Sequence, residues 1–243
     1  MAIDHAAVGL IEQSELASGV AWSLCGTAMR LMGRVAFPLF AFMIAEGAVH
    51  TRDRRRYALR LLLLAVISEI PFDLVAGGTW LFLADQNTVF TLLLGLLAVW
   101  AGDLICGTGP GVSYGTREKT GDGGRKAVGQ RRFPLEYERY IRVLAAVPFG
   151  LAAYCLKTDY GFMGVLLIVI LYTLRTEPQL RTAVCAVFLF CMYMDFYGAA
   201  ACVAIFLINR YNGEKGGGNG RIFYLFYPLH LLVIRGIKMA VGL

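Results

Sequence analysis

The sequence predicts an all-α protein, a polytopic transmembrane bundle of about eight or nine helices that forms a single domain over residues 1–243. Of the 243 residues, 58% are hydrophobic and only 16% are charged. The mean hydropathy is +0.61. A soluble domain of this length needs more polar surface to cover its core. In a lipid bilayer the long apolar runs become the exposed surface, and the helices satisfy their own backbone hydrogen bonds.

Hydrophobic runs separated by charged residues predict the helices in chain order. The predicted segments are residues 1–10, 22–49, 57–76, 88–105, 143–156, 161–174, 182–194, 197–208 and 222–241. The first segment rises only about 15 Å, half the thickness of a bilayer, at 1.5 Å per residue. We therefore expect a first helix that is truncated at its N-terminus, with Met1 an internal methionine; a half-helix is the alternative.

The basic residues alternate between the connections, which predicts the orientation. They cluster after the second, fourth, sixth and eighth segments: Arg52, Arg54, Arg55, Arg56; Arg117, Lys119, Arg125, Lys126, Arg131, Arg132, Arg139, Arg142; Arg175, Arg181; Arg210, Lys215, Arg221. Residues 11–19 and 77–87 carry no Lys or Arg. Basic connections stay in the cytoplasm. We therefore expect a multi-pass protein of a bacterial-type cytoplasmic (inner) membrane, with its N-terminus in the cytoplasm and its C-terminus outside.

Composition also excludes several classes of function. The formal net charge of +6 is accounted for by the basic connections, so the bilayer is the expected partner and nucleic acid is not. The six cysteines show no CxxC spacing and no Cys/His ligand spacing, and no metal is expected. Residues 107–130 are rich in Gly, Ser, Thr and Lys without apolar periodicity, which predicts a flexible cytoplasmic loop.

Ionisable residues inside the predicted helices are the candidate functional residues. Charged groups in a bilayer are costly and face the bundle interior. The set comprises Asp4, His5, Arg30, Arg34, Glu46, Glu69, Asp73, Asp159 with its neighbour Tyr160, and His230. The predicted topology places most of them at a similar depth on the outer side, with His230 near the midplane. His5, near several carboxylates, suits general-base catalysis.

Structural roles compete with these functional ones. Arg34 and Glu69 could form a buried ion pair. Asp159 could cap the helix that begins near Gly161, and Glu46 could also be a helix-end group. The cytoplasmic arginines could serve only as the topology signal.

Motifs spread over nearly the whole chain resemble the TraX family, which is named for a protein linked to N-acetylation of conjugative pilin. They are MAIDH at residues 1–5, GRVAFPLFAF at 33–42, Glu46-Gly47, His50-Thr51, ISEIPFD at 67–73, Asn87 with Phe90-Thr91-Leu92, TDYG at 158–161 and FYPLH at 226–230. The resemblance leaves out the loop at 107–130. Taken together the motifs are specific, whereas any one of them alone is weak.

The resemblance implies a membrane-embedded acyltransferase that takes acetyl from acetyl-CoA in the cytoplasm and modifies an amine or hydroxyl on the outer side. A protein N-terminus, a glycan or a lipid headgroup is the implied acceptor. The resemblance also implies that an intramembrane histidine near the end of the first helix is the catalytic residue, a position that His5 occupies here. From the residues themselves we expect Asp4 and Glu69 to tune or orient His5 as the base, and Arg34 to polarise the reacting centre. Substrate-binding candidates are Glu46, Asp73, Asn87, Asp159, Tyr160 and His230, and the candidates for binding CoA phosphates are Arg52, Arg55 and Arg56.

Two other classes of function remain open at the level of sequence. A small-solute or ion transporter also carries buried Asp, Glu, Arg and His along its pathway, although the inverted repeats common in transporters are not visible here. A non-catalytic scaffold in an envelope assembly predicts neither transfer nor transport, but a stable protein partner.

Overall fold

The computed structural model of the chain describes residues 1–12, 20–80, 82, 84–108, 132–194, 196–214 and 220–241. Within these ranges the regular elements are helices, and the single pairing of extended residues is a bridge between Gln86 and Thr158. The predicted all-α class is therefore confirmed. The predicted loop at 107–130 lies, from residue 109 onward, outside the described residues.

The helices follow the predicted order closely. They are α1 (Ala2–Ala6, continued by a π-helix, Ala7–Glu12), α2 (Val20–Arg34), α3 (Ala36–His50), α4 (Arg54–Ala76), α5 (Thr88–Cys106), α6 (Leu135–Cys155), α7 (Gly161–Thr173), α8 (Pro178–Tyr193), α9 (Phe196–Asn209) and α10 (Gly220–Val241). If α2 and α3 are counted as one broken helix, the described residues form nine helices. Within the described part of the chain, three stretches are long and apolar enough to cross a membrane: Trp22–His50, Thr88–Cys106 and Tyr224–Val241.

The predicted segment 22–49 is divided by a break at Val35, between α2 and α3. Pro38 lies in the first turn of α3. A proline lacks the backbone N–H, and its ring clashes with the carbonyl four residues earlier, here that of Arg34. The break therefore follows from Pro38, and it lies beside one of the candidate catalytic residues.

Helix α6 begins eight residues before the predicted start at 143, at Leu135. Glu138 and Arg142 in this first part are buried, whereas Tyr137, Tyr140 and Leu144 are exposed. The charged side chains therefore face the other helices and the apolar ones face outward. In the hydropathy pattern, charged residues mixed with apolar ones look like a polar connection. The predicted start of this helix, at residue 143, is therefore too late.

Helix α7 forms the centre of the bundle. Its side chains Val165, Leu167, Ile168 and Leu171 are almost completely buried, and the helix packs against α3, α5, α6 and α8. Large apolar side chains on the surrounding helices point outward: Leu59, Leu63, Val66 and Ile67 on α4; Leu144 and Leu151 on α6; Val203 and Phe206 on α9; Leu229 and Val233 on α10. An apolar centre with an apolar exterior is the arrangement expected of a bundle surrounded by lipid.

Candidate functional site

Two histidines from opposite ends of the chain are hydrogen-bonded in the interior. His5 lies on α1 and His230 on α10, and both are buried. The distance from His5 Nδ1 to His230 Nε2 is 2.9 Å, and the ring planes differ by 8°. The other ring nitrogen of His230, Nδ1, lies 2.9 Å from the carbonyl oxygen of Phe226. The pair is therefore anchored to the backbone of α10.

This chain of hydrogen bonds determines the tautomers of both neutral rings. A carbonyl oxygen can only accept, so His230 Nδ1 carries a hydrogen and donates it to Phe226. His230 Nε2 is then unprotonated and accepts from His5 Nδ1. His5 Nε2 is left with a free lone pair, the form that a general base requires.

Aromatic rings surround the histidine pair. Phe72 of α4 lies edge-on to His5 with the ring centroids 6.2 Å apart, and Tyr227 lies edge-on to both histidines. The ring of Phe226 is nearly parallel to that of His230 at 5.1 Å. These contacts restrict the rotation of both imidazoles, so the hydrogen-bonded arrangement is held by packing.

Asp4 and His5 face different helices because adjacent residues on a helix point about 100° apart. Asp4 Oδ1 accepts a hydrogen bond from Arg30 Nη1 of α2 at 3.2 Å. Gly33 allows this approach: a Cβ atom at that position would lie 2.4 Å from the Cβ of Asp4. Asp4 is therefore an ion-pair partner that positions α1 against α2, next to His5.

His5 and Asp4 open onto a cavity of about 350 Å³. Its lining consists of Asp4, His5, Val8, Arg30, Arg34, Phe72, Val75, Ala76, Asp85, Asp159, Tyr160 and Leu231. The cavity is thus lined by the imidazole of His5, two arginines and three carboxylates. It is large enough for a small acceptor group. Five of the predicted catalytic and binding residues line it together: Asp4, His5, Arg34, Asp159 and Tyr160.

Arg34 lies at the end of α2, with two aromatic rings close to its guanidinium group. Its guanidinium carbon lies 5.2 Å from the centroid of Tyr193 and 5.6 Å from that of Tyr197. Cation–π contacts of this length orient a guanidinium without neutralising its charge. The proposed alternative of an Arg34–Glu69 ion pair is not found among the described residues, where Glu69 bonds to Asn87 instead.

Asp159 and Tyr160 lie in the short connection between α6 and α7. Thr88 Oγ1 donates to Asp159 Oδ2 at 2.6 Å, and Thr91 donates to the carbonyl of Asp159. Desolvation raises the pKa of the Asp159 carboxyl, and the Thr88 hydrogen bond opposes that shift. Tyr160 has a positive φ of 66° and stacks on Phe37 with the centroids 3.6 Å apart. Asp159 does not cap α7, as the alternative suggested, because α7 has no side-chain cap.

Glu69, Asp73 and Asn87 do not line the polar cavity. Asn87 caps α5 by accepting from the Val89 amide at 2.9 Å, and its own amide group donates to Glu69 and to the Ala65 carbonyl. Asp73 accepts from the Phe82 amide at 3.0 Å. These contacts fix the connection between α4 and α5. The three residues therefore hold in place Thr88, which donates to Asp159 in the cavity lining.

The remaining candidates lie at the opposite, basic end of the bundle. Glu46 pairs with His50 at 3.4 Å, one turn further along α3. Arg52, Arg55 and Arg56 are exposed, and Arg56 pairs with Asp53 at 3.0 Å. The structure therefore separates this group from the histidine pair, and its predicted role in binding substrate or CoA remains a prediction.

One buried cluster was missed by the sequence-based interpretation. Asp103 of α5 is 1% exposed and accepts from Arg54, Arg142 and the Tyr172 hydroxyl. The contacts to Arg54 and Tyr172 are both 2.6 Å. An aspartate in an otherwise apolar segment was the available signal. Because its acceptors are occupied by interhelical donors, the cluster joins α4, α5, α6 and α7 rather than forming an open site.

No group of three or more His, Cys, Asp or Glu side chains able to hold a metal ion occurs in the described part of the chain. A second cavity, of about 220 Å³, lies between α3, α4, α5 and α10. Its lining is apolar apart from the tyrosines Tyr57, Tyr224 and Tyr227, so it offers no histidine, carboxylate or basic side chain.

A family model and one curated protein match most of this chain. The family model described as "TraX protein" matches residues 1–105 and 134–238, and the interval between them falls on the connection from α5 to α6. The probable fimbrial assembly protein FimC, serogroup H1, of Dichelobacter nodosus is similar over 263 aligned residues at 25% identity. The alignment covers 98% of this chain and 91% of that protein. No solved structure matches.

Proposed function

Since the chain belongs to the TraX family, we propose that it is an integral-membrane acyltransferase that moves an acetyl group from acetyl-CoA to an amine or hydroxyl. The observation that carries this proposal is the histidine pair, in which His5 Nδ1 donates to His230 and leaves His5 Nε2 as a base. The base lies at a polar cavity of about 350 Å³ that can receive an acceptor.

The proposed reaction needs one proton acceptor and one group that stabilises negative charge. His5 Nε2 takes the proton from the acceptor's N–H or O–H as the acceptor attacks the thioester carbonyl carbon. The new C–N or C–O bond forms, the C–S bond breaks, and the thiolate leaves with its electron pair. The proton then passes from His5 to the leaving sulfur.

Arg34 supplies the positive charge in this proposal. It lines the same cavity as His5, and the rings of Tyr193 and Tyr197 hold its guanidinium in place. A preorganised cation next to the reacting carbonyl stabilises the oxyanion of the tetrahedral intermediate. Asp4 positions His5 in this proposal. Its ion pair with Arg30 holds α1 against α2, so that the neighbouring His5 lines the cavity.

The acceptor enters from outside in the proposed topology. The polar cavity is bordered by Asp85 and Asp159, which lie in the connections without an arginine cluster. The arginine-rich connections lie at the other end of the helices, which on the positive-inside rule is the cytoplasmic side of a bacterial inner membrane. The acceptor would then meet Asp159 and Tyr160 first.

CoA is proposed to bind at the cytoplasmic end. Arg52, Arg55 and Arg56 are exposed between α3 and α4, where guanidinium groups could contact the nucleotide phosphates. The similar FimC protein is named for fimbrial assembly. A fimbrial or pilin subunit is therefore the first acceptor to test, before a glycan or a lipid headgroup.

The donor can be tested without knowing the acceptor. Acetyl-CoA and CoA should raise the unfolding temperature of the detergent-solubilised protein, whereas ATP should not. Replacing Arg52, Arg55 and Arg56 together by Gln should weaken this stabilisation, while the same change at Arg210, an exposed arginine on another connection, should not. Equal stabilisation by ATP and acetyl-CoA would contradict a specific donor site.

A further inference from the structure

Two buried hydrogen-bond donors, one on Arg34 in the cavity lining and one on the neighbouring Tyr193, have no acceptor among the residues that the structure describes. They are Nε of Arg34 and the hydroxyl of Tyr193, the last residue of α8. Tyr160, Tyr193 and Arg34 interact with one another electrostatically, and the Tyr193 ring lies 5.2 Å from the Arg34 guanidinium carbon. No hydrogen bond of good geometry reaches Arg34 Nε or the Tyr193 hydroxyl among the described residues. Leaving buried donors unsatisfied is costly, so an oxygen atom that accepts from both of them would be stabilised.

The charge at this place favours an anionic oxygen. Arg30, the other arginine of the cavity, is paired with Asp4 at 3.2 Å. Arg34 forms no ion pair within 4 Å among the residues that the structure describes. Its positive charge is therefore oriented by tyrosine rings and is available to a ligand.

The ring and the hydroxyl of Tyr193 have different roles, which one substitution can separate. The ring face lies 5.2 Å from the Arg34 guanidinium carbon, so it contributes to positioning the cation. The hydroxyl is the unpartnered donor. A change from tyrosine to phenylalanine keeps the first contribution and removes only the second.

We propose that Tyr193 is a further catalytic residue, whose hydroxyl donates together with Arg34 Nε to the carbonyl oxygen of the acyl thioester. This inference rests on the proposed acyltransferase function and deepens it. As the acceptor attacks, the carbonyl π electrons move to that oxygen, and the two donors stabilise the resulting oxyanion. When the tetrahedral intermediate collapses, the electron pair on the oxyanion re-forms the carbonyl. The C–S bond then breaks, and the thiolate leaves with the bonding electrons.

Tyr197 provides a matched control on the same guanidinium. Its ring lies 5.6 Å from the Arg34 guanidinium carbon, close to the distance for Tyr193. Tyr197 has a further interaction, and its hydroxyl is not among the buried polar atoms without a partner. Tyr197→Phe therefore makes the same chemical change beside Arg34 without removing the proposed donor.

The first test compares the kinetics of the two variants in the full-length protein in proteoliposomes. Loss of one oxyanion donor lowers kcat by about 10²-fold, so Tyr193→Phe should lose that much kcat with little change in the KM for acetyl-CoA. Tyr197→Phe should retain kcat. A Tyr193→Phe protein with the wild-type kcat, or one whose whole defect is in KM, would overturn the proposal.

The second test is independent of transfer activity. Inorganic phosphate, a tetrahedral oxyanion, should stabilise the wild-type and Tyr197→Phe proteins against thermal unfolding more than chloride does at equal ionic strength. Tyr193→Phe should lose most of this difference. Equal phosphate stabilisation of the two variants, or none of the wild type, would contradict the donor pair even if acetyl transfer is observed. Phosphate stabilisation with no acetyl transfer would instead reject the acyltransferase function.

Discussion

The Nδ1 atom of His5 lies 2.9 Å from the Nε2 atom of His230, so the first and last helices of the chain meet through one imidazole–imidazole hydrogen bond. The Phe226 carbonyl fixes the direction of donation, because it accepts from the remaining nitrogen of His230. His230 is thus a positioning residue: it determines which nitrogen of His5 is free to accept a proton.

Substitution of His230 should reveal this directional role. His230→Ala removes the acceptor for His5 Nδ1, so the preferred tautomer is lost and kcat should fall by about 10²-fold. In His230→Gln the side-chain carbonyl oxygen can still accept, and much of the activity should return. Measured transfer rates that are equal in the two variants would show that hydrogen-bond direction is not what His230 contributes.

The contact between Gly33 and Asp4 should be intolerant of a methyl group. Gly33→Ala would place its Cβ 2.4 Å from the Cβ of Asp4, which must move α1 away from α2. Overpacking of this kind costs about 1–3 kcal/mol and should displace His5 as well, so both the unfolding temperature and kcat should fall.

Gly236→Ala is the matched control for this substitution. Gly236 also lies within a helix, but a Cβ there meets no atom within 4 Å. Replacement of an unconstrained helical glycine by alanine stabilises by about 0.5–1 kcal/mol. A Gly33→Ala protein that behaves like Gly236→Ala in both assays would refute the close packing of α1 on α2.

The Asp103 cluster should contribute to stability. In Asp103→Ala the guanidinium groups of Arg54 and Arg142 remain buried without their counter-charge, so the free energy of unfolding should fall by about 3–5 kcal/mol. Denaturant titration in detergent measures this. Glu214→Ala removes an exposed carboxylate and should change stability by less than about 0.5 kcal/mol. Similar small effects for both would mean that Asp103 does not join the helices.

Asn87 should affect the site indirectly, because it caps α5 next to Thr88. Asn87→Ala removes the cap of α5 and the donor to Glu69, which together should cost about 2–4 kcal/mol. Because Thr88 follows and bonds to Asp159, transfer activity should fall too. The exposed Asn212→Ala is the control. An Asn87→Ala protein of normal stability would show that the cap is not formed.

Much of the fold was predictable because each helix carries its own signal in hydropathy. The exceptions have local causes. Helix α6 turns Glu138 and Arg142 inward, so its first two turns do not look apolar in sequence. The break at Val35 depends on Pro38, which the hydropathy of residues 22–49 conceals.

The site was predictable only in part, because residue type does not give the direction of a side chain. His5, Asp4, Arg34 and Asp159 were expected on the outer side and do line one cavity. The contact between His5 and His230 spans 225 residues of sequence and depends on the rotation of α1 and α10. Tyr193 gave no signal, since a tyrosine ending an apolar helix is common at membrane interfaces.

The most direct measurement is transfer of radiolabelled acetyl from acetyl-CoA to an amine or hydroxyl probe by the purified protein in proteoliposomes, with wild type and His5→Gln compared side by side. The wild-type protein should transfer label, and His5→Gln, folded with an unchanged unfolding temperature, should lose at least about 10²-fold of that rate. Transfer by His5→Gln at the wild-type rate would contradict His5 as the base. A wild-type protein that binds acetyl-CoA but transfers label to none of a panel of amine, hydroxyl and pilin-derived acceptors would contradict the acyltransferase function itself.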